Sequence, residues 1–212
     1  MNRPARVVAV VGTATDIGKT WVSAALLAEL RRRGLRVAAR KPVQSFAPGT
    51  GPTDAAVLAA ATGEAPDAVC PPHRSLPVPM APPMAAEALG VEGFTAADLV
   101  AELTFPDGTD VGLVETVGGV RSPMASDADS AAFAGLVRAD VAVLVADAAL
   151  GTINAVRLSA GALDPTVPVV VVLNRYDPAV DLHARNRAWL ADRDGFRIVT
   201  AVGELAEAVL AP

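Results

Sequence analysis

The chain has 212 residues, 52% of them hydrophobic, and a formal charge of −5, which is material for one domain, 1–212, with a substantial core. Mild acidity without a lysine cluster, and without an arginine run beyond Arg31, Arg32 and Arg33 at a helix end, argues against nucleic acid as the main partner. No stretch reaches the roughly 18 continuous apolar residues of a membrane span, the apolar run near the start is too short for the core of a cleaved leader, and the lone Cys70 excludes an internal disulfide, so the cytoplasm is the expected compartment.

In chain order, the first apolar run, 7–11, predicts a strand, and a helical pattern follows over 21–33. Between them lies Gly12-Thr13-Ala14-Thr15-Asp16-Ile17-Gly18-Lys19-Thr20. A glycine-rich loop between strand and helix presents successive backbone N–H groups to phosphate oxygens, aided by the helix N-terminus; its lysine reaches the terminal phosphates and its Thr hydroxyl reaches Mg²⁺. Five residues separate the two glycines here, where the common phosphate-loop pattern has four.

The second apolar run, 37–39, is followed by Lys41-Pro42-Val43-Gln44-Ser45. Only Lys19 and Lys41 among the eighteen basic residues are lysines, and both stand where phosphate transfer needs a compact ammonium rather than a guanidinium fork. A helix is expected over 54–61, and from local sequence Thr53-Asp54 reads as its capped, acidic start. The proline-rich stretch 70–84 reads as neither helix nor central strand. It is either a stiffened surface connection or a loop lining a substrate cleft, with a helix after it at 85–89. Cys70 and His73 within it are too few ligands for a structural metal.

A helix at 96–103 precedes the strand 111–114, which ends in Glu115-Thr116-Val117-Gly118-Gly119. A carboxylate at such a strand end suits Mg²⁺, which is bound by one or two carboxylates plus phosphate oxygens. A helix at 130–137 and a strand at 141–145 lead to Asp147 and to Leu150-Gly151-Thr152-Ile153-Asn154, the entry to a helix over 152–163. The last strand, 167–173, ends in Asn174, a turn residue or a partner for a nucleotide base, and a helix at 181–191 follows. This alternation implies an α/β fold of P-loop NTPase type, a mostly parallel sheet with helices on both faces and ligands at the carboxyl ends of its strands.

The constellation resembles the dethiobiotin synthetase family over essentially the whole chain. The shared features are the phosphate loop with its extra residue (Gly12 to Thr20), Lys41-Pro42-Val43, Asp54 opening a helix, the loop from Glu115 to Gly119, and Leu150 to Asn154. The family's pattern has an aspartate where Ala14 stands, a glycine where Thr116 stands, and often a histidine at Met84. Some relatives carry a basic side chain at Ala149, and the tail from Thr200 is only loosely similar to the family's nucleotide wall.

By this resemblance the protein is expected to be a homodimeric ATP- and Mg²⁺-dependent cyclo-ligase that makes dethiobiotin from 7,8-diaminononanoate and CO2 or bicarbonate. Lys19 and Lys41 are then catalytic, and Thr20, Asp54 and Glu115 hold the metal. ATP contacts Gly12, Thr13, Thr15, Asp16, Ile17, Gly18, Lys19, Thr20 and Asn174. The acceptor contacts Thr15, Lys41, Ser45 and Gly118, while Gly151, Thr152 and Asn154 receive the carboxylate of a substrate held by the neighbouring subunit. Two other readings remain compatible with the motifs: an amidotransferase-like ligase acting on a different acceptor, and a nucleotide switch that answers to a protein partner.

Overall fold

A computed structural model describes residues 3–211; Met1, Asn2 and Pro212, which the expected domain includes, lie outside the described residues. The chain runs β1 (Arg6–Gly12), α1 (Lys19–Arg32), β2 (Val37–Arg40), β3 (Gln44–Ser45), α2 (Asp54–Thr62), α3 (Pro66–Val69), β4 (Ser75–Leu76) and α4 (Pro82–Leu89). It continues through α5 (Ala96–Ala101), β5 (Val111–Glu115), α6 (Ser130–Leu136), β6 (Val141–Asp147), α7 (Thr152–Ala160), β7 (Val169–Asn174), α8 (Asp181–Ala188), β8 (Arg197–Val199) and α9 (Val202–Leu210). Six strands form one parallel sheet in the order β2-β5-β1-β6-β7-β8.

The apolar runs are continuous because the sheet is covered on both sides. Along β1, Val7, Ala9 and Val11 pack with Phe133 of α6 and Val156 of α7, while Val8 and Val10 pack with Leu26 and Leu30 of α1 and Val209 of α9. Strand alternation sends successive side chains to opposite faces, so β1 nails the two helical layers together. A fully buried Val or Leu is worth about 1.5–3 kcal/mol over its exposed state, so the strand that feeds the phosphate loop is firmly held.

The expected strands and helices all form, with ends shifted by up to three residues. Five elements were not legible: the short β3, α3 and β4, and then β8 and α9. β8 is three residues long at the sheet edge, below the length at which an apolar run stands out, and α9 then packs against α1 and β7. The proline-rich stretch corrects the expectation of no helix: α4 begins at Pro82, with proline in the first turn, where the missing N–H costs nothing. The same stretch supplies β4, which pairs in parallel with β3 and ties the segment after Lys41 to the segment before α4. Among the described residues no helix is long and apolar enough to cross a membrane.

Candidate active site

The carboxyl ends of β1, β2 and β5 converge on one cluster. β1 runs directly into the loop and α1 starts at Lys19, with Gly18 at its N-cap in the left-handed region (φ 93°). A side chain at Gly18 would be strained there, and its Cβ would lie 2.1 Å from Asn174 Nδ2. Asn174 at the end of β7 donates to the Ile17 carbonyl (2.9 Å), and Arg175 donates to the Asp16 carbonyl (3.0 Å) and to Asp147 (3.0 Å). The loop is therefore held from outside by the last residue of β7, two places away in the sheet, and by the residue after it.

Lys19 Nζ donates to the carbonyls of Gly118 (2.7 Å) and Ala14 (3.2 Å), so the ammonium bridges the phosphate loop to the glycine loop after β5. Burial, with the nearby Lys41 charge, pulls its pKa down to about 8 against the opposing pull of Glu115 and Asp54. Lys41 is wholly enclosed. Its Nζ donates to Glu115 Oε1 (2.8 Å) and the Thr116 carbonyl (3.0 Å), and it pairs with Asp54 Oδ2 (2.8 Å). Burial would lower the pKa of that ammonium, but the two carboxylates outweigh it and hold Lys41 above the ordinary lysine value. Burial would likewise raise the half-buried Asp54, yet Lys41 and the Thr20 hydroxyl bring it below the usual carboxylate value.

Thr20 Oγ1 lies 2.7 Å from Asp54 Oδ1 and 2.8 Å from Glu115 Oε1. A hydroxyl has one proton, so it can donate to only one of these oxygens. Three hard oxygens from α1, α2 and β5 thus crowd one point with an excess of acceptors, a donor set that fits Mg²⁺ with phosphate or water oxygens completing the shell. Thr53, not Asp54, caps α2 by accepting from the Ala56 N–H (3.2 Å). The capped, acidic start read from Thr53-Asp54 is present, with Thr53 as the cap and Asp54 in the first turn, and the Asp54 carboxylate also turns to Thr20 and Lys41.

Some residues of the cluster were not anticipated. Ser23 donates to Glu115 Oε2 (2.7 Å), fixing the carboxylate so that its other oxygen faces Thr20 and Lys41. Its signal was present, since Ser23 stands three residues after Thr20 on the same face of α1. Ser122 Oγ accepts from the Gly119 N–H (2.9 Å) beneath Gly118. Gly118 sits at φ 54°, and a Cβ there would meet Ser122 Oγ at 2.2 Å.

An open cleft of about 820 Å³ extends from this cluster, lined by Thr15, Lys19, Thr20, Lys41, Ser45, Asp54 and Gly118. Met80, Ala81 and Pro82 form part of its wall, so the proline-rich segment is a cleft wall and not only a connection. Ser45 Oγ donates to the Met80 carbonyl (2.6 Å) across that wall. Gly12, Thr13 and Ile17 shape the loop itself, whereas Gly151, Thr152 and Asn154, at the start of α7, do not line the cleft. A second cleft of about 510 Å³ adjoins the first at Gly18 and reaches Asn174 and the β8–α9 junction.

A parallel sheet whose first strand feeds a glycine-rich Gly-Lys-Thr loop into a helix, with a carboxylate at the end of the adjacent strand, defines a protein of the P-loop NTPase class. A family described as an AAA domain matches residues 6–209. The chain is 37% identical, over 87% of its length and 84% of the relative's, to the ATP-dependent dethiobiotin synthetase of Xanthomonas axonopodis pv. citri. It is 41% identical, over 74% and 67%, to the enzyme of that name from Rhodococcus jostii. The chain belongs to the ATP-dependent dethiobiotin synthetase family. Its fold is also that of cobyrinic acid a,c-diamide synthase from Mycobacterium smegmatis, with a TM-score of 0.55 at 18% identity over 95% of this chain and 90% of that one.

Proposed function

We propose that the protein closes the ureido ring of dethiobiotin from 7,8-diaminononanoate, CO2 and ATP. The observation that carries this reading is the placement of both lysines of the chain, with Thr20 and Asp54, at the head of one open cleft beside the phosphate loop, and of Glu115 buried directly behind Thr20 and Lys41. In the reaction one amine takes up CO2 as a carbamate. The carbamate oxygen attacks the terminal phosphorus of ATP, releasing ADP, and the second amine then attacks the carbamoyl carbon, expelling phosphate.

No protein nucleophile is needed; what the chain must supply is charge and position. Lys19 follows the phosphoryl group, and Lys41 brings a permanent positive charge to the side where the acceptor oxygen approaches. Thr20, Asp54 and Glu115 would hold Mg²⁺, whose part is to neutralise phosphate oxygens as a Lewis acid. Thr15, Ser45 and Gly118 orient the acceptor in the cleft, and Asn174 lies beside the nucleoside end of ATP.

A homodimer accounts for the start of α7. Leu150, just before the Gly151 N-cap, and Leu158 within α7 are 87% and 69% exposed. A second copy covering these two leucines would bring Gly151, Thr152 and Asn154 to the partner's substrate carboxylate at a helix N-terminus. The test is to supply diamine, bicarbonate and Mg-ATP and to measure dethiobiotin by mass spectrometry beside ADP. One product per ADP is expected. Nucleotide binding without dethiobiotin sinks the assignment and favours a ligase with another acceptor.

A further inference from the structure

The second cleft, about 510 Å³, has an aromatic wall that the phosphate chemistry does not use. Trp21 is the third residue of α1, immediately after Lys19 and Thr20, and it is 62% exposed, among the most exposed large apolar side chains described. Helical side chains lean toward the N-terminus of their helix, so the indole lies over the turn that carries Gly18. Gly18 lines both clefts, which makes the second a direct continuation of the phosphate site. Tyr176 stands on the lining as a second ring, and Val22, Val172 and Leu205 add apolar surface.

The polar groups that face this cleft are largely committed. Asn174 donates to the Ile17 carbonyl, and the Arg175 guanidinium donates to Asp147 and to the Asp16 carbonyl. What remains is a wide aromatic face at the far end of a polyphosphate site. Its complement is a flat heterocycle joined to the phosphates, taken by its π face rather than by its edges.

We propose that Trp21 is the base-stacking wall of the nucleotide site. It sets the preference for a nucleoside triphosphate over bare polyphosphate, and for a purine over the smaller pyrimidine ring. The inference rests on the phosphate-loop reading above and adds to it the means by which the base is held.

Trp21 and Trp189 are the chain's two tryptophans, so Trp189→Phe leaves Trp21 as the single indole reporter. In that background ATP should quench the fluorescence strongly and inorganic tripolyphosphate weakly, with CTP binding more weakly than ATP. Calorimetry on Trp21→Ala should show the ATP Kd raised on the order of tenfold, with the tripolyphosphate Kd changed less than about twofold, and Trp21→Phe should recover most of the loss. An ATP Kd unchanged in Trp21→Ala overturns the stacking role while leaving the phosphate site standing. Equal losses for ATP and tripolyphosphate also overturn it, assigning Trp21 to the shape of the loop. If the unaltered protein binds neither ligand, the phosphate-loop reading itself fails and this inference with it.

Discussion

Lys41 is held by three acceptors at once: Glu115, Asp54 and the Thr116 carbonyl. A guanidinium keeps the charge but is larger and planar, and its fork cannot reproduce a point ammonium's contacts to these three acceptors at so buried a position. We expect Lys41→Arg to lose about 100-fold or more in kcat, and Lys19→Ala to lose nearly all turnover while remaining folded. Unaltered kinetics in a folded Lys41→Arg protein would assign that lysine a structural role. The neighbouring pair Thr53 and Asp54 can be separated experimentally. Thr53→Ala should cost about 1 kcal/mol of stability and leave the magnesium requirement alone; Asp54→Ala should raise the Mg²⁺ concentration for half-maximal turnover with little change in Tm. A lowered Tm with an unmoved magnesium titration in Asp54→Ala would confine Asp54 to the acidic first turn of α2.

At the scale of elements, the edge strand β2 owes its position to an ion pair as well as to apolar packing. Arg40 is buried, pairs with Glu64 (2.7 Å), donates to the Thr104 carbonyl and lies over the Phe105 ring at 4.9 Å. Glu64, in the link between α2 and α3, also accepts from the Ala39 N–H (2.9 Å). It thus ties β2 to the helical layer just before Lys41. Removing one partner of a buried pair strands the other charge, so Glu64→Ala should destabilise by about 3–5 kcal/mol, read as a lower urea midpoint at unchanged m-value. A shift below about 0.5 kcal/mol would mean that Arg40 finds its other acceptors sufficient.

Across the whole molecule the acid limb of stability has identifiable owners. Hydrogen bonds from Arg32 and Arg33 hold Glu29 at about 2, and hydrogen bonds from the Arg36 side chain and backbone hold Asp110 at about 2. Both values are depressed in the folded state. Their stabilisation is therefore fully present above the ordinary carboxylate range near 4 and drains away as pH falls from there toward 2. Tm should decline over that window, and Asp110→Asn should show a smaller decline. These pairs are exposed, so added salt should blunt the effect by screening. An identical acid limb in Asp110→Asn would move the sensitivity to other carboxylates.

The phosphate loop was legible from the chain because its chemistry is contiguous: strand, glycines, Lys19 and Thr20 follow one another and need no distant partner to be read. The two-layered parallel sheet was legible too, since strands buried on both faces must be apolar throughout and their helices show a different period. Asp54 was ambiguous by itself, because Thr53-Asp54 is equally good grammar for a helix start. Only folding, which brings α2 beside α1 and β5, sets its carboxylate against Thr20 and Lys41. Ser23 and the π-face of Trp21 acquire their meaning in the same way. Burial of Lys41 between two carboxylates 74 and 13 residues distant is likewise a property of the sheet order β2-β5-β1, which makes Glu115 and Lys41 neighbours. Local sequence specifies which groups a segment offers and which conformation it favours, but a multi-point charge cluster requires contacts between elements, and those exist only once the apolar faces have packed.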